Sequence, residues 1–186
     1  MFVAVVPPEP VIEHLDAFLE VRRLAASFRW ATSDSFHVTL AFLAAVDAWR
    51  IDELEERLAR AAARRTAFAA AIAGGGAFPN AGRARVLWAG LDTDTVELRR
   101  LATGARAAAA KSGIEVDGSR FRGHVTLARL GVPAEVSNWV RLLDSYRGPT
   151  WTVSSIRLIE SHLGEGPRGR PRYETVADFP LQPAMP

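Results

Sequence analysis

At 186 residues the chain is long enough to bury a sizeable interior without covalent staples. It contains no cysteine, which excludes a disulfide framework, thiolate-ligated zinc and thiol catalysis. The formal charge of +2 is small, but Lys111 is the only lysine among 23 basic residues. Arginine suits bidentate contact with phosphate. An alanine- and arginine-rich usage also follows from base composition, so charge alone does not define a nucleic-acid binder.

In chain order, Phe2 to Val6 is valine-rich and stops at Pro7-Pro8, as a buried strand stops at a turn. The opening MFVAVVPPEP is apolar for only six residues and has no basic leader, which fits a first strand better than a signal peptide. No run approaches the roughly 18 apolar residues of a membrane span. A soluble, cytoplasmic protein without a membrane partner is expected, and a monomer. From Pro10 to Phe28 the apolar positions Val11, Leu15, Phe18 or Leu19 and Leu24 recur at helical spacing. After the polar loop ATSDS, FHVTLAFL reads as a strand, and Ile51, Leu54, Leu58 and Ala61 or Ala62 mark a second helix.

The glycine run at 74–76 reads as a turn. RVLWAGL at 85–91 then reads as a strand, and Val96, Leu98, Leu101 and Ala105 begin a helix that Gly113 is placed to cap. FRGHVTLARL at 121–130 is again a strand and Ala134 to Leu143 a short helix, while WTVSSIRLIE and RYETVADFPL close the chain as a hairpin. Short strands with brief connections favour an α+β fold of antiparallel sheets over a doubly wound parallel one. The order supports two similar lobes, each contributing one HVTL strand.

Two of the four histidines open the same tetrapeptide, HVTL, at 37–40 and 124–127. Side chains alternate along a strand, so His37 and Thr39 face one way while Val38 and Leu40 face the core, and His124 and Thr126 do the same. If the two strands line one cleft, it holds two imidazoles and two hydroxyls. One imidazole can take a proton from attacking water while the other protonates a departing sugar oxygen, and the hydroxyls can donate to non-bridging phosphoryl oxygens. Histidine suits both tasks because its ordinary pKa of about 6.5 allows either protonation state near neutrality. That set can cleave a phosphodiester, and it requires no metal or cofactor. A repeated core strand would preserve the apolar residues but has no reason to keep His and Thr on the other face.

Two His-x-Thr motifs in a chain of this length resemble the two-histidine (2H) phosphoesterases, and in particular the bacterial and archaeal RNA 2′,3′-cyclic phosphodiesterases, also called 2′-5′ RNA ligases. The likeness runs through FVAVVPP, FRWATSDSFHVTLAFL, GGGAFPNAGRARVLWAGL, RFRGHVTLARL and the closing segment from Trp151. The resemblance implies that residues 1–186 form one bilobal α+β domain with a pseudo-twofold axis. It implies hydrolysis of RNA 3′ ends or nucleotides bearing a 2′,3′-cyclic phosphate to a 2′-phosphate, with His37 as proton donor and His124 as acceptor, beside Thr39 and Thr126. It further implies that Phe42 stacks on the terminal base, as an aromatic ring can on any base, and that Arg129 reaches the nucleotide. Where the family often has proline before the second histidine, this chain has Gly123, which leaves the local backbone less fixed. The same site run in reverse would make a 2′-5′ linkage, and a non-catalytic nucleotide- or RNA-binding module is the alternative from another class.

Gly164, Gly166 and Gly169 spell G-x-G-x-x-G, but a strand-like RPRYETV follows where a dinucleotide site requires a helix. A hairpin loop is expected there, with Arg168 and Arg170 able to track RNA backbone. His14 and His162 have no partner at metal-ligand spacing, and Trp30, Trp88, Trp139 and Trp151 read as core.

Overall fold

In the computed structural model, which describes residues 1–184, four helices and nine strands follow one another in mixed order. The strands are β1 (Phe2–Val5), β2 (Arg29–Trp30), β3 (Val38–Phe42), β4 (Phe68–Phe78), β5 (Ala84–Thr93), β6 (Val125–Ala134), β7 (Arg147–Val153), β8 (Ser155–His162) and β9 (Arg172–Pro180). The helices are α1 (Glu9–Arg23), α2 (Ile51–Ala62), α3 (Thr95–Lys111) and α4 (Ser137–Asp144). Eight strands form one sheet in the order β7-β4-β5-β6-β3-β1-β8-β9, with β2 alongside β6, and every pairing between them is antiparallel.

The sheet has two four-stranded halves whose only register pair between named strands, among the described residues, is Val38 with Val125, between β3 and β6. Outward from that pair, β3-β1-β8-β9 on one side mirrors β6-β5-β4-β7 on the other. The chain order β1-α1-β3-α2-β4 likewise recurs as β5-α3-β6-α4 and the strands that follow. Helices α2 and α3 pack on the β3 half, and α1 and α4 on the β6 half. The expected bilobal α+β architecture is therefore observed. The lobes are not consecutive halves of the chain: β4 joins the lobe of β6, while β8 and β9 return to the lobe of β3.

The core lies between the sheet and its helices. Val3, Val5, Val38 and Leu40 are buried there with Leu54 and Leu58 of α2 and Leu101 and Ala105 of α3. Phe2 and Ala4, on the other face of β1, form a second small cluster with Ile159. Burial on both faces explains why β1 is continuously apolar instead of alternating. Asp94 caps α3 by accepting from the Val96 and Glu97 amides at 2.8 and 3.1 Å. Gly113, at φ +71°, ends it with the Ile114 amide donating to the Ala109 carbonyl, the expected left-handed cap.

Four local expectations are corrected. The first helix ends at Arg23, and Arg29–Trp30 forms β2 against Arg129 and Ala128 instead of the helix reaching Phe28. The glycine run lies inside β4: Gly74, at φ +67°, sits where the register against β5 shifts, and a side chain at Gly76 would collide with the Trp88 ring. The run is thus a bulged strand, not a turn. Strand β6 begins later than expected, at Val125, with 121–124 approaching it from outside the sheet. Finally, WTVSSIRLIE splits at Ser154, so that Trp151 and Val153 pair with β4 while Ile156 to His162 pair with β9. A strand that leaves one lobe and enters the other shows no break in hydrophobic pattern, because both parts are half-buried.

Candidate active site

His37 stands immediately before β3 and His124 immediately before β6, so the single register pair between the lobes places the two motifs side by side. His37, Thr39, Phe42, His124, Thr126 and Arg129 all line one cleft of about 470 Å³. Val38, Leu40, Val125 and Leu127 point the other way and are buried. The inferred division of each motif into a core face and a cleft face is what the structure shows.

Strict alternation would put Phe42, three residues beyond Thr39, on the opposite face. A β-bulge prevents this. Along β1, Ala4 pairs with Thr39 and its neighbour Val3 with Ala41, leaving Leu40 as the extra residue. The other lobe repeats the device at the equivalent position: Trp88 pairs with Thr126 and Leu87 with Ala128, leaving Leu127 unpaired. Each bulge shifts the alternation by one, returning Phe42 and Arg129 to the cleft. Phe42 is 52% exposed, so its ring is not committed to the core.

The histidines have different surroundings. The His37 ring stacks on Phe2 with centroids 4.6 Å apart and meets Tyr173 edge-on at 5.4 Å. Burial is the main reason its pKa is pushed from 6.5 down to about 4; a backbone hydrogen bond with Ser35 opposes the shift, and the charges of His124 and Arg129 add to it. His124 Nδ1 lies 2.8 Å from the Arg122 carbonyl oxygen. A carbonyl only accepts, so Nδ1 carries the hydrogen and the neutral ring keeps its lone pair on Nε2. Phe78 meets this ring edge-on at 5.0 Å. Burial lowers the His124 pKa too, against the Arg122 carbonyl bond and with the charges of Arg122 and Arg129. Both imidazoles are therefore neutral near pH 7 before an anion enters.

Other side chains reach the cleft without a sequence signal. Phe2 reads as core, Tyr173 as one alternating residue of a hairpin, and Arg29 falls between the expected helix and the expected ATSDS loop; all three line the site. Arg170 lines it as well, so the glycine-containing loop between β8 and β9 closes one wall. That loop contains a short 3₁₀ turn and precedes β9, not a helix, in agreement with setting aside the dinucleotide motif. The Arg168 side chain lies outside the described residues. At Gly123 an added Cβ would sit 2.6 Å from Leu98 Cδ2, so the end of that leucine would have to shift to admit a larger residue. His14 is remote and bonds the Tyr146 hydroxyl at 2.9 Å, and His162 faces Glu160, Glu165 and Glu174 at 3.3–3.9 Å. Trp30, Trp88 and Trp151 are buried and Trp139 packs against the core. Among the described residues no helix is long and apolar enough to cross a membrane.

A pseudo-symmetric antiparallel sheet with a His-x-Thr motif from each lobe in one cleft defines the two-histidine phosphoesterase class. Within it, the chain belongs to the family described as LigT like Phosphoesterase, whose model matches twice, over residues 5–88 and 91–168, each match containing one HVTL. It is 36% identical over 149 residues to an RNA 2′,3′-cyclic phosphodiesterase of Aeropyrum pernix, spanning 77% of this chain and 83% of that one. It is 31% identical over 180 residues to the protein of the same name from Archaeoglobus fulgidus, spanning 96% and 98%. Among solved structures, LigT of E. coli in its apo form superimposes with a TM-score of 0.77 at 25% identity, covering 97% of this chain and 96% of that one. The E. coli protein complexed with 3′-AMP gives 0.74 at 26% identity, with the same coverage.

Proposed function

We propose that this protein is an RNA 2′,3′-cyclic phosphodiesterase that opens the cyclic phosphate at an RNA 3′ end, or on a nucleotide, to a 2′-phosphate, the whole chain acting as one two-lobed domain. The observation that carries this reading is the convergence of two imidazoles and two threonine hydroxyls in one cleft large enough for a nucleotide. The names of the archaeal relatives point the same way.

In the reaction, water attacks phosphorus and loses its proton to His124 Nε2. The bond from phosphorus to O3′ breaks, and O3′ takes a proton from His37, leaving a 2′-phosphomonoester and a 3′-hydroxyl. Thr39 and Thr126 donate to the non-bridging oxygens, where negative charge accumulates. The assignment of the base to His124 follows the family resemblance, and its Nδ1–H bond to the Arg122 carbonyl leaves Nε2 free to accept, while His37 likewise bonds the backbone of Ser35. The depressed His37 pKa fits an acid only once substrate is bound: a phosphodiester anion beside the ring favours the imidazolium and raises the pKa. Substrate charge thus arms the acid, and without it His37 stays neutral. Phe42 stacks on the terminal base and Arg129 contacts the nucleotide from the opposite end of the cleft. Hydrolysis prevails over joining a 5′-hydroxyl because water is abundant and the same two imidazoles serve either nucleophile.

The test is incubation with a 2′,3′-cyclic-phosphate oligonucleotide in excess chelator, with separation of the product isomers. A 2′-phosphate formed at an undiminished rate is expected, since hydroxyls and imidazoles supply the charge stabilisation. A 3′-phosphate would reverse the geometry of acid and base, activity restored only by a divalent ion would overturn the metal-free mechanism, and binding without turnover would leave a nucleotide-binding module.

A further inference from the structure

Many surface arginines of this protein are neutralised locally. Arg57 pairs with Glu53 at 2.7 Å, Arg100 with Glu97 at 2.6 Å, Arg157 with Asp178 at 2.9 Å and Arg172 with Glu174 at 2.9 Å. Arg99, Arg120 and Arg122 are exposed and, among the described residues, have no acidic partner. All three line a single groove of about 560 Å³, together with Phe78, Phe121 and Gly123. Uncompensated positive charge gathered into a concavity is an electrostatic footprint for a polyanion.

The groove adjoins the cleft. Phe78 is the ring that meets His124 edge-on, and Gly123 is the residue before that histidine. Because β3 and β6 are antiparallel about Val38 and Val125, the Phe42 end of β3 lies toward the chain that enters β6, residues 120–123. The groove therefore continues the cleft at the end where Phe42 is exposed. Its wall is anchored: Arg106 donates from Nη1 to the Ser119 carbonyl at 2.8 Å and from Nε to the Leu40 carbonyl at 3.3 Å. Asp117 accepts from the Ser119 amide and hydroxyl, each at 2.9 Å. At Arg99 the groove meets a second one of about 550 Å³ between α2 and α3, where Arg64, Arg65 and Lys111 also have no acidic partner among the described residues. The unpaired cations form a path leading away from the catalytic histidines.

We propose that this path binds the RNA strand on the 5′ side of the cyclic-phosphate nucleotide, with successive phosphodiesters against Arg120 and Arg99. The inference rests on the phosphodiesterase reading and narrows it: the preferred substrate is a polynucleotide end, not a cyclic mononucleotide. RNA is the occupant because the nucleotides preceding the one in the cleft are covalently attached to it and carry one phosphate each. Those phosphates must leave by some edge of the cleft. Arg29, Arg129 and Arg170, which also have no acidic partner among the described residues, line the cleft itself; beyond it, the groove of Arg99, Arg120 and Arg122 is the adjoining concavity whose guanidinium groups match further phosphates.

Steady-state kinetics on two substrates test this: a 2′,3′-cyclic mononucleotide and a short oligonucleotide ending in the same cyclic nucleotide. The wild-type protein is expected to show a KM at least about tenfold lower for the oligonucleotide, rising with salt as counterion release requires. The double variant Arg99→Gln/Arg120→Gln removes charge from two exposed side chains that make no hydrogen bond in the described structure. Its oligonucleotide KM should rise on the order of three- to tenfold, the scale of two solvent-screened ion pairs. The slope of log KM against log salt should fall by about 0.7 for each phosphate that no longer faces a guanidinium. Its kcat and KM for the mononucleotide should not change, and Arg99→Lys/Arg120→Lys should retain most of the oligonucleotide preference. Mononucleotide turnover without any effect of length, or an oligonucleotide KM unmoved in the glutamine variant, overturns the inference while the phosphodiesterase reading stands. Turnover of neither substrate overturns that reading and the inference with it.

Discussion

Residues 37–41 and 124–128 are the same pentapeptide, His-Val-Thr-Leu-Ala, and occupy equivalent positions in the two lobes. Both have a buried valine and leucine, a threonine on the cleft face and a bulge at the leucine. The copies diverge at the sixth residue, Phe42 in one and Arg129 in the other, and in what surrounds each imidazole. His37 is packed between two aromatic rings, Phe2 and Tyr173. His124 meets Phe78 edge-on and has the exposed Arg122 beside it, and each ring bonds a backbone group, His37 at Ser35 and His124 at Arg122. Duplication supplies two chemically identical groups, and the neighbours contributed by other elements make them inequivalent. An acid and a base in one reaction require that inequivalence.

The largest test of the comparison removes each imidazole in turn. His37→Ala and His124→Ala should each lower kcat by about 10²–10⁴-fold, with KM much less affected because Thr39, Thr126, Phe42 and Arg129 remain. Residual activity in His124→Ala should lose the rise at low pH, and in His37→Ala the fall at high pH, once circular dichroism shows both fold. Near-wild-type turnover in either would reduce the pentapeptide to a structural repeat.

Threonine replacement comes next. Thr39→Val and Thr126→Val keep the shape but remove the hydroxyls proposed to donate to the phosphoryl oxygens, and each should cost up to about 10²-fold in kcat. Equal losses would mean that the two hydroxyls act alike despite the unlike histidines, and unequal losses would extend the asymmetry to them.

Phe42→Ala and Arg129→Ala should act chiefly on KM. Loss of a base–aromatic stack worth about 1–3 kcal/mol corresponds to roughly 5- to 150-fold in affinity. An unchanged KM in a folded Phe42→Ala variant would show that its exposure has no binding role.

The smallest effects concern titration, read by NMR of the histidine rings. His37 should titrate near pH 4 in the free protein, and a bound phosphodiester should raise both histidine pKa values. Since kcat/KM reports the free enzyme and kcat the complex, the kcat profile should lie at higher pH than the kcat/KM profile. Arg129→Gln removes a positive charge that lowers both histidines, so both pKa values should rise; Arg122→Gln should raise His124 and leave His37 in place. A shift of His37 in the Arg122 variant would show that the two sites share more of their surroundings than the structure indicates.

The paired motifs and their alternating frame were legible in the chain alone. His-x-Thr beside Val-x-Leu specifies a strand with one reactive and one apolar face, and repeating it in a chain with only four histidines announced a paired site. Helix spacing and caps such as Gly113 are also local, because a helix closes its hydrogen bonds within its own segment. Whatever depends on which strands become neighbours had to wait for the fold. Phe42 and Arg129 face the cleft only because bulges form against β1 and β5, and neither bulge has a signature in the motif strands. The glycines at 74–76 read as a turn until Trp88 on the adjacent strand claims the space beside Gly76. Phe2 and Tyr173, from opposite ends of the chain, reach His37 because β1 and β9 flank β8 in the sheet. Strand pairing joins residues distant in sequence, and burial is shared among all of them, so the environment that sets each histidine's acidity exists only after the sheet has formed.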